Sequence, residues 1–369
     1  MIVSSISLDF FRNYVHFEDH FSPHVNVIWG ENAQGKTNLL EGISYLSTAS
    51  SHRARYDREL IQMGQTHAAV KAGVFSRGRD FTLEARLQKG ARRQLFANGV
   101  KLKTAGELAG VLNTVLFCPE DLYLIREGAA VRRRFLDNCI CQLRPRYAEA
   151  LAEYRRLYEH KTRILRDWEE HPSLLDTLEE FNLRMAQTGA LLIHYRAHFI
   201  KRLREVTPPI HRDFSGGREE LGLRYTTVST ISDPLAPTRT LLEQLVEHQT
   251  SHRKAELEAR QCLSGLHKDD LVVELDGVSA KAFASQGQTR TAALSLKLAS
   301  REIFFQETGE WPVLLLDDVL SELDHRRQEF VLKRINGGQV FITCCEEMSL
   351  DRLGEGKTFH IREGALVEL

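Results

Sequence analysis

One octapeptide, Gly30-Glu31-Asn32-Ala33-Gln34-Gly35-Lys36-Thr37, restricts the possible folds of this chain more than any other stretch. Two glycines with four residues between them, then lysine and threonine, form a loop whose backbone N–H groups can converge on phosphate oxygens. The run Val25 to Trp29 before it is mostly apolar and β-branched or aromatic, and Asn38 to Ile43 after it has apolar residues at helical spacing. Strand, loop and helix in that order place the loop at a helix N-terminus, where the backbone dipole favours an anion. ATP or GTP is the ligand this arrangement implies. Gly30, Glu31, Asn32, Ala33, Gln34 and Gly35 would line the phosphates, Lys36 would reach the outer ones, and Thr37 would hold magnesium.

A chain of 369 residues, 42% hydrophobic, can bury a full core and has room for two domains or for one domain with a large insertion. Its 49 basic and 50 acidic residues nearly cancel, so nucleic-acid contact must come from local patches. Cys118, Cys139, Cys141, Cys262, Cys344 and Cys345 include no paired Cys-x-x-Cys elements, which argues against a zinc ribbon and for reduced thiols. The opening residues Met1 to Phe10 alternate like a strand, without the basic and apolar segments of a signal peptide. No window approaches the roughly 20 apolar residues that span a bilayer, so a cytoplasmic protein without membrane association is expected.

The fold class expected is α/β: a nucleotide-binding head with mixed β-sheet and an inserted, mainly helical domain. Phe81 to Leu87 alternates and Asn98-Gly99 marks a hairpin. From residue 121 the pattern turns helical, broken near Pro145 and His171-Pro172 and stopped by Thr207-Pro208-Pro209. A strand over Gly222 to Val228 and a helix from Thr238 to Gln261 follow. The continuous apolar runs Pro312 to Leu316 and Gln339 to Thr343 suit strands buried on both faces of a parallel sheet, beside Val25 to Trp29. Residues 1–120 and 265–369 would form the head, and 121–264 the insertion.

Asp317 and Asp318 directly follow Leu316. Two carboxylates at the end of a buried strand need positive charge beside them, which magnesium would supply. Asp317 is the expected metal partner with Thr37. Asp318 would orient the water that attacks the γ-phosphate, making it catalytic together with Lys36. A third element, Ser285-Gln286-Gly287-Gln288, opens the helical run Thr291 to Phe305 and could be a second anion-binding N-terminus or an ordinary cap.

The order of these pieces resembles the ABC-type ATPase heads of the SMC-like class, and within it the RecF family of bacterial recombination mediators. The resemblance makes Ser285, Gln286, Gly287 and Gln288 the signature motif, acting on the nucleotide of a second copy, and Ser321, Glu322, Leu323 and Asp324 the D-loop. It assigns Arg12 and Asn13, in Phe11-Arg12-Asn13-Tyr14, to the nucleotide phosphates. It also covers Phe117 to Leu122, Arg132 to Asp137 and Gly265 to Leu271, where Leu266 and Lys268 replace the family's usual proline and arginine. Asp318 stands where most ABC ATPases have glutamate, one methylene longer, which points to slow hydrolysis, and Thr343, which can donate only a hydroxyl, stands where transporters have histidine. What the resemblance implies is ATP with Mg2+, a homodimer formed around ATP, binding to single- and double-stranded DNA at gaps, and partnership with RecO and RecR in loading recombinase.

Arg53, Arg55 and Arg58, then Arg132 to Arg134, then Arg155, Arg156, Lys161, Arg163 and Arg166 are the basic clusters open to DNA, although interleaved acids suit a solvated helical face equally well. The insertion is too short and proline-cut for a long coiled coil. An ABC transporter ATPase, an SMC-like head without gap preference, a small-molecule kinase and a module using ATP only as structural glue are the competing readings.

Overall fold

The computed structural model describes residues 1–263, 265–335, 337–346 and 354–367. The chain divides into two compact units, 1–123 with 293–369, and 124–292. The first boundary lies close to the one read from the sequence. The second lies at 292/293 rather than 264/265, because the segment after residue 265 completes a small sheet within the second unit.

In chain order the first unit contains β1 (Ile2–Phe11), β2 (Tyr14–His20), β3 (Val25–Trp29), α1 (Lys36–Thr48), β4 (His67–Ser76), β5 (Arg79–Gln88), β6 (Gln94–Ala97), β7 (Val100–Lys101) and β8 (Thr114–Phe117). The second contains α2 (Ala129–Leu143), α3 (Pro145–Asp167), α4 (Leu178–Ser215), β9 (Leu221–Thr226), α5 (Thr238–Ala259), β10 (Asp270–Leu275), β11 (Val278–Ser279) and α6 (Ala280–Phe283). The boundary falls within α7 (Gln286–Thr308), after which the first unit resumes with β12 (Val313–Asp317), α8 (His325–Arg334), β13 (Val340–Cys344), β14 (Gly356–Arg362) and β15 (Ala365–Leu366).

Two six-stranded sheets build the first unit. One, in the order β2-β1-β4-β5-β6-β7, is antiparallel and alternates buried and exposed residues. The other, β15-β14-β3-β13-β12-β8, is parallel from β14 to β8. Its central strands β12 and β13 are buried along almost their whole length, as their continuous apolar runs require. Leu8, Val70 and Leu83 of the first sheet, Leu39, Ile43 and Leu46 of α1, and Leu315, Phe341 and Phe359 of the second share one core. The buried Gln339 side chain accepts from Val3 N–H at 2.7 Å and donates to the Val3 and Ser22 carbonyls, joining both chain ends through one amide.

In the second unit α3, α4 and α5 pack together beside the sheet β11-β10-β9. The expected stop at Thr207-Pro208-Pro209 does not occur, since α4 runs through both prolines to Ser215. A proline removes a helical hydrogen bond and costs about 3 kcal/mol. Burial of Ile210 and Phe214 beyond the prolines offsets that loss, each apolar side chain being worth roughly 1.5–3 kcal/mol. Gly216, in the left-handed region at φ 68, ends the helix, with its N–H and that of Gly217 capping Asp213 and Arg212 carbonyls. Among the described residues no helix is long and apolar enough to cross a membrane.

Candidate nucleotide site

The loop Gly30 to Gly35 leaves β3 and enters α1 at Lys36. Gly30 (φ 148) and Gly35 (φ 119) adopt backbone angles that side-chain-bearing residues rarely reach. Space forbids a side chain as firmly as conformation does. A Cβ at Gly30 would overlap the Ile361 carbonyl oxygen, and one at Gly35 would lie 2.7 Å from Asn13 Nδ2. Ala33 also takes a left-handed angle, φ 65. Successive N–H groups are thereby turned toward one space at the start of α1.

Neighbouring strands hold the loop. Asn13 donates to the Gln34 carbonyl at 2.9 Å and accepts from Asn38 at 2.8 Å, and the buried Tyr14 hydroxyl donates to the Gly35 carbonyl at 3.0 Å. Gln34 accepts from the Glu363 and Gly364 N–H groups of the β14–β15 turn. Lys36, 4% exposed, donates to the Gly30 and Glu31 carbonyls at 2.7 and 2.8 Å. The ammonium therefore rests on the loop it would leave for a phosphate.

The Thr37 hydroxyl donates to Asp317 Oδ1 at 2.8 Å, and the Thr343 hydroxyl donates to the same oxygen at 2.9 Å. Burial pushes the Asp317 carboxyl above its ordinary value, with the two hydroxyls partly opposing the shift. A buried, hydroxyl-braced carboxylate beside a second hydroxyl is a hard-oxygen donor set that suits magnesium. Among the described residues no cluster of three His, Cys, Asp or Glu could hold a metal unaided, so an ion here would need ligand oxygens as well.

Asp318 has φ 52 and its N–H donates to Thr343 Oγ1 at 2.8 Å, so the threonine hydroxyl braces both aspartates. The left-handed angle turns Asp318 away from the strand direction, and the Cys345 thiol lies 4.0 Å from its carboxylate and 3.1 Å from Asn32 Oδ1. Sequence reading did not single out Cys345, which carries no motif of its own. Ser321 donates to the Asp318 carbonyl at 2.6 Å, and Asp324 caps α8 by accepting from the Arg327 N–H at 3.0 Å. Glu322 and Leu323 complete that turn.

Arg12, at φ 56, makes a bidentate pair with Glu41 at 2.8 Å and donates to the Glu59 carbonyl. Glu41 is fully buried on α1. Burial alone would raise its carboxyl, but Arg12 and Ser51 bind the ionised form and bring it below its ordinary range. The only signal for Glu41 in the sequence was an acid among the apolar residues of an otherwise core-facing helix.

Within the second unit Ser285 and Gln288 form a reciprocal cap. Ser285 N–H donates to Gln288 Oε1 at 2.8 Å, and Gln288 N–H donates to Ser285 Oγ at 3.2 Å, fixing the start of α7 with Gln286 and Gly287 in its first turn. Two basic candidates are removed as surface charges. Arg132, 4% exposed, is bonded to Asp270 at 2.7 Å and to the Leu124, Ile125 and Glu127 carbonyls. Lys161, 1% exposed, pairs with buried Glu256 at 2.6 Å. Both face inward because α2 and α3 turn those positions toward the unit's core.

The profile of the RecF/RecN/SMC N terminal domain family matches residues 2–361. The DNA replication and repair protein RecF of Agathobacter rectalis is 37% identical over 366 residues, 99% of this chain and 98% of its own. That of Acetivibrio thermocellus is 38% identical over 362 residues, 98% of each. The chain belongs to the RecF family. Among solved structures, the recombination mediator protein RecF with ATP, from the RecFOR pathway, superposes with a TM-score of 0.91 at 34% identity, covering 100% of this chain and 97% of that one. The Smc head of Pyrococcus furiosus, at 16% identity and a TM-score of 0.55, shares the fold. The ABC-type head of the SMC-like class, mixed α/β with a helical insert, is therefore the architecture of this RecF-family chain.

Proposed function

We propose that this chain is an ATP-dependent DNA-binding protein of recombinational repair, a RecF-type mediator that closes into a homodimer around ATP on gapped DNA. The observation that carries the reading is the 2.8 Å bond from Thr37 to Asp317, which joins a phosphate-loop hydroxyl to a strand-end carboxylate 280 residues away in the sequence. A purely structural turn has no need of that pairing.

In this reading Gly30 to Thr37 bind the phosphates of ATP, and Thr37 and Asp317 hold Mg2+. Held there, Mg2+ would supply neutralising charge to the outer phosphates. Lys36 exchanges two carbonyl partners for phosphate oxygens, while Arg12 and Asn13 flank the loop. Asp318, whose backbone N–H is held by the Thr343 hydroxyl, accepts a hydrogen bond from the attacking water, and its short side chain makes the ATPase weak. Ser285 to Gln288 and the D-loop Ser321 to Asp324 act from the second copy. A ligand touching both copies stabilises the dimer by its differential affinity, and hydrolysis removes the γ-phosphate contacts. Relatives named for the RecFOR pathway support RecO and RecR as partners, and the place of action in this reading is the cytoplasm.

Sedimentation velocity with and without MgATP tests this. The parent is expected to shift from monomer to dimer with ATP, and Lys36→Met and Ser285→Arg to stay monomeric. Identical oligomeric states for all three under both conditions would refute it. Running the assay with gapped, duplex and single-stranded DNA separates gap preference from an ATP-driven head indifferent to DNA structure.

A further inference from the structure

The outer end of the antiparallel sheet takes no part in the nucleotide site. From Arg86 to Lys103 the chain carries six cations, Arg86, Lys89, Arg92, Arg93, Lys101 and Lys103, and neither Asp nor Glu. In a chain where acids slightly outnumber bases, that is a local excess built into one structural element.

The strand register sets where this charge lies. Arg86 pairs with Gln94, Glu84 with Phe96, and Phe96 with Lys101, so the two-residue period puts Glu84, Arg86, Gln94, Phe96 and Lys101 on one face, where Glu84 neutralises Arg86 and leaves Lys101 unpaired. Arg86 lies 4.6 Å from the Phe96 ring centroid. Arg93 is paired with Asp57 at 3.1 Å, which ties the hairpin to the loop after α1. There the exposed Tyr56 ring carries Arg55 and Arg58, 5.3 and 4.8 Å from its centroid. Lys89, Arg92, Lys101 and Lys103 are exposed and have no ion-pair partner among the described residues.

Unneutralised cations this close repel one another within a screening length of about 8–10 Å, and a polyanion relieves that repulsion. One lysine on the two-residue edge strand β7 would suffice to block edge pairing, so protection of the edge does not explain the rest. Arg86 gives its fork to Glu84, but Arg55 and Arg58, braced on the Tyr56 ring, present planar donor forks that match phosphate oxygens. No recognition helix accompanies them, and contact with phosphates alone carries no sequence preference.

We propose that this surface, from Arg55 to Lys103, is a sequence-independent contact for the phosphodiester backbone of DNA. It rests on the DNA-binding function above and gives that function a location on the chain.

The test uses the full-length chain with MgATP, the triple variant Arg92→Ala, Lys101→Ala and Lys103→Ala, and a control with Arg239→Ala and Lys254→Ala on the exposed face of α5. Binding to labelled duplex and single-stranded oligonucleotides is followed by fluorescence anisotropy over a salt series, and thermal unfolding verifies folding. Each lost phosphate contact flattens the slope of log K against log salt by about 0.9 on duplex, so the triple variant should be shallower by about 2–3. The control should match the parent, and ATP-dependent dimerisation should persist in both. A loss confined to duplex or to single strand supports the surface and tells which form it meets. A triple variant with parental affinity and slope, while the parent binds DNA, overturns the surface and leaves the DNA-binding function standing; loss of binding only to polyglutamate by that variant would reassign the face to an acidic protein. A parent whose DNA binding is absent or insensitive to salt removes the underlying function and this surface with it.

Discussion

Replacing Asp317 with asparagine separates charge from geometry at the nucleotide site. Asp317 Oδ1 accepts from Thr37 and Thr343 at 2.8 and 2.9 Å, and an asparagine carbonyl oxygen can accept both. Each hydroxyl bond contributes about 1 kcal/mol net, so the variant keeps roughly 2 kcal/mol of bracing. It loses a charge that burial disfavours, with Asp318 close enough to add repulsion. Without nucleotide, Asp317→Asn should therefore unfold at or above the temperature of the parent. The result with ligand should be the reverse. MgATP at a hundred times its Kd stabilises the parent by about 2.7 kcal/mol, whereas a hundred-fold weaker Kd leaves about 0.4 kcal/mol at the same concentration. Perturbing metal ligation typically costs 10–100-fold or more in affinity. Thermal unfolding with neither, either and both of Mg2+ and ATP reads out the two effects together. A variant that keeps the parent's magnesium-dependent ATP stabilisation, or that unfolds well below the parent without ligand, would refute the assignment of Asp317.

Two further predictions concern the second unit. Lys161→Met should destabilise it by about 3–5 kcal/mol by stranding Glu256, and adding Glu256→Met should recover all but the roughly 1 kcal/mol lost at the Leu263 N–H that Glu256 accepts at 3.1 Å, as urea titration of the two variants can measure. Burial and the neighbouring Lys268 and Arg133 lower the His267 imidazole from 6.5 to about 4, so its neutral form is favoured by folding. That stability is fully present above pH 6.5 and is lost as pH falls toward 4; partial solvent access limits it to roughly 1–2 kcal/mol, and His267→Gln should flatten unfolding free energy across that window.

The phosphate loop, the buried strands and the start of α7 could be read from residues alone because each depends on local chemistry. Gly30 and Gly35 are required by backbone angle, Val340 to Thr343 by a continuous apolar run, and Ser285 with Gln288 by a cap that closes within one helical turn. The end of α4 was misread for the same reason. Local rules stop a helix at Pro208-Pro209, and only the burial of Ile210 and Phe214 shows why this one continues. Charge was the least legible property. Arg132 and Lys161 look like surface cations in sequence, while the acids that pair with them, Asp270 and Glu256, lie far along the chain.

By itself, then, the sequence determined a glycine loop of the shape that receives phosphate within an α/β head interrupted by helices, because backbone freedom and side-chain periodicity act over a few residues. Tertiary structure decided which carboxylate meets Thr37, that Glu41 holds Arg12, which cations are buried and which gather on the β5–β7 hairpin. Those outcomes depend on strand order and on desolvation, and both arise only when distant segments pack against each other.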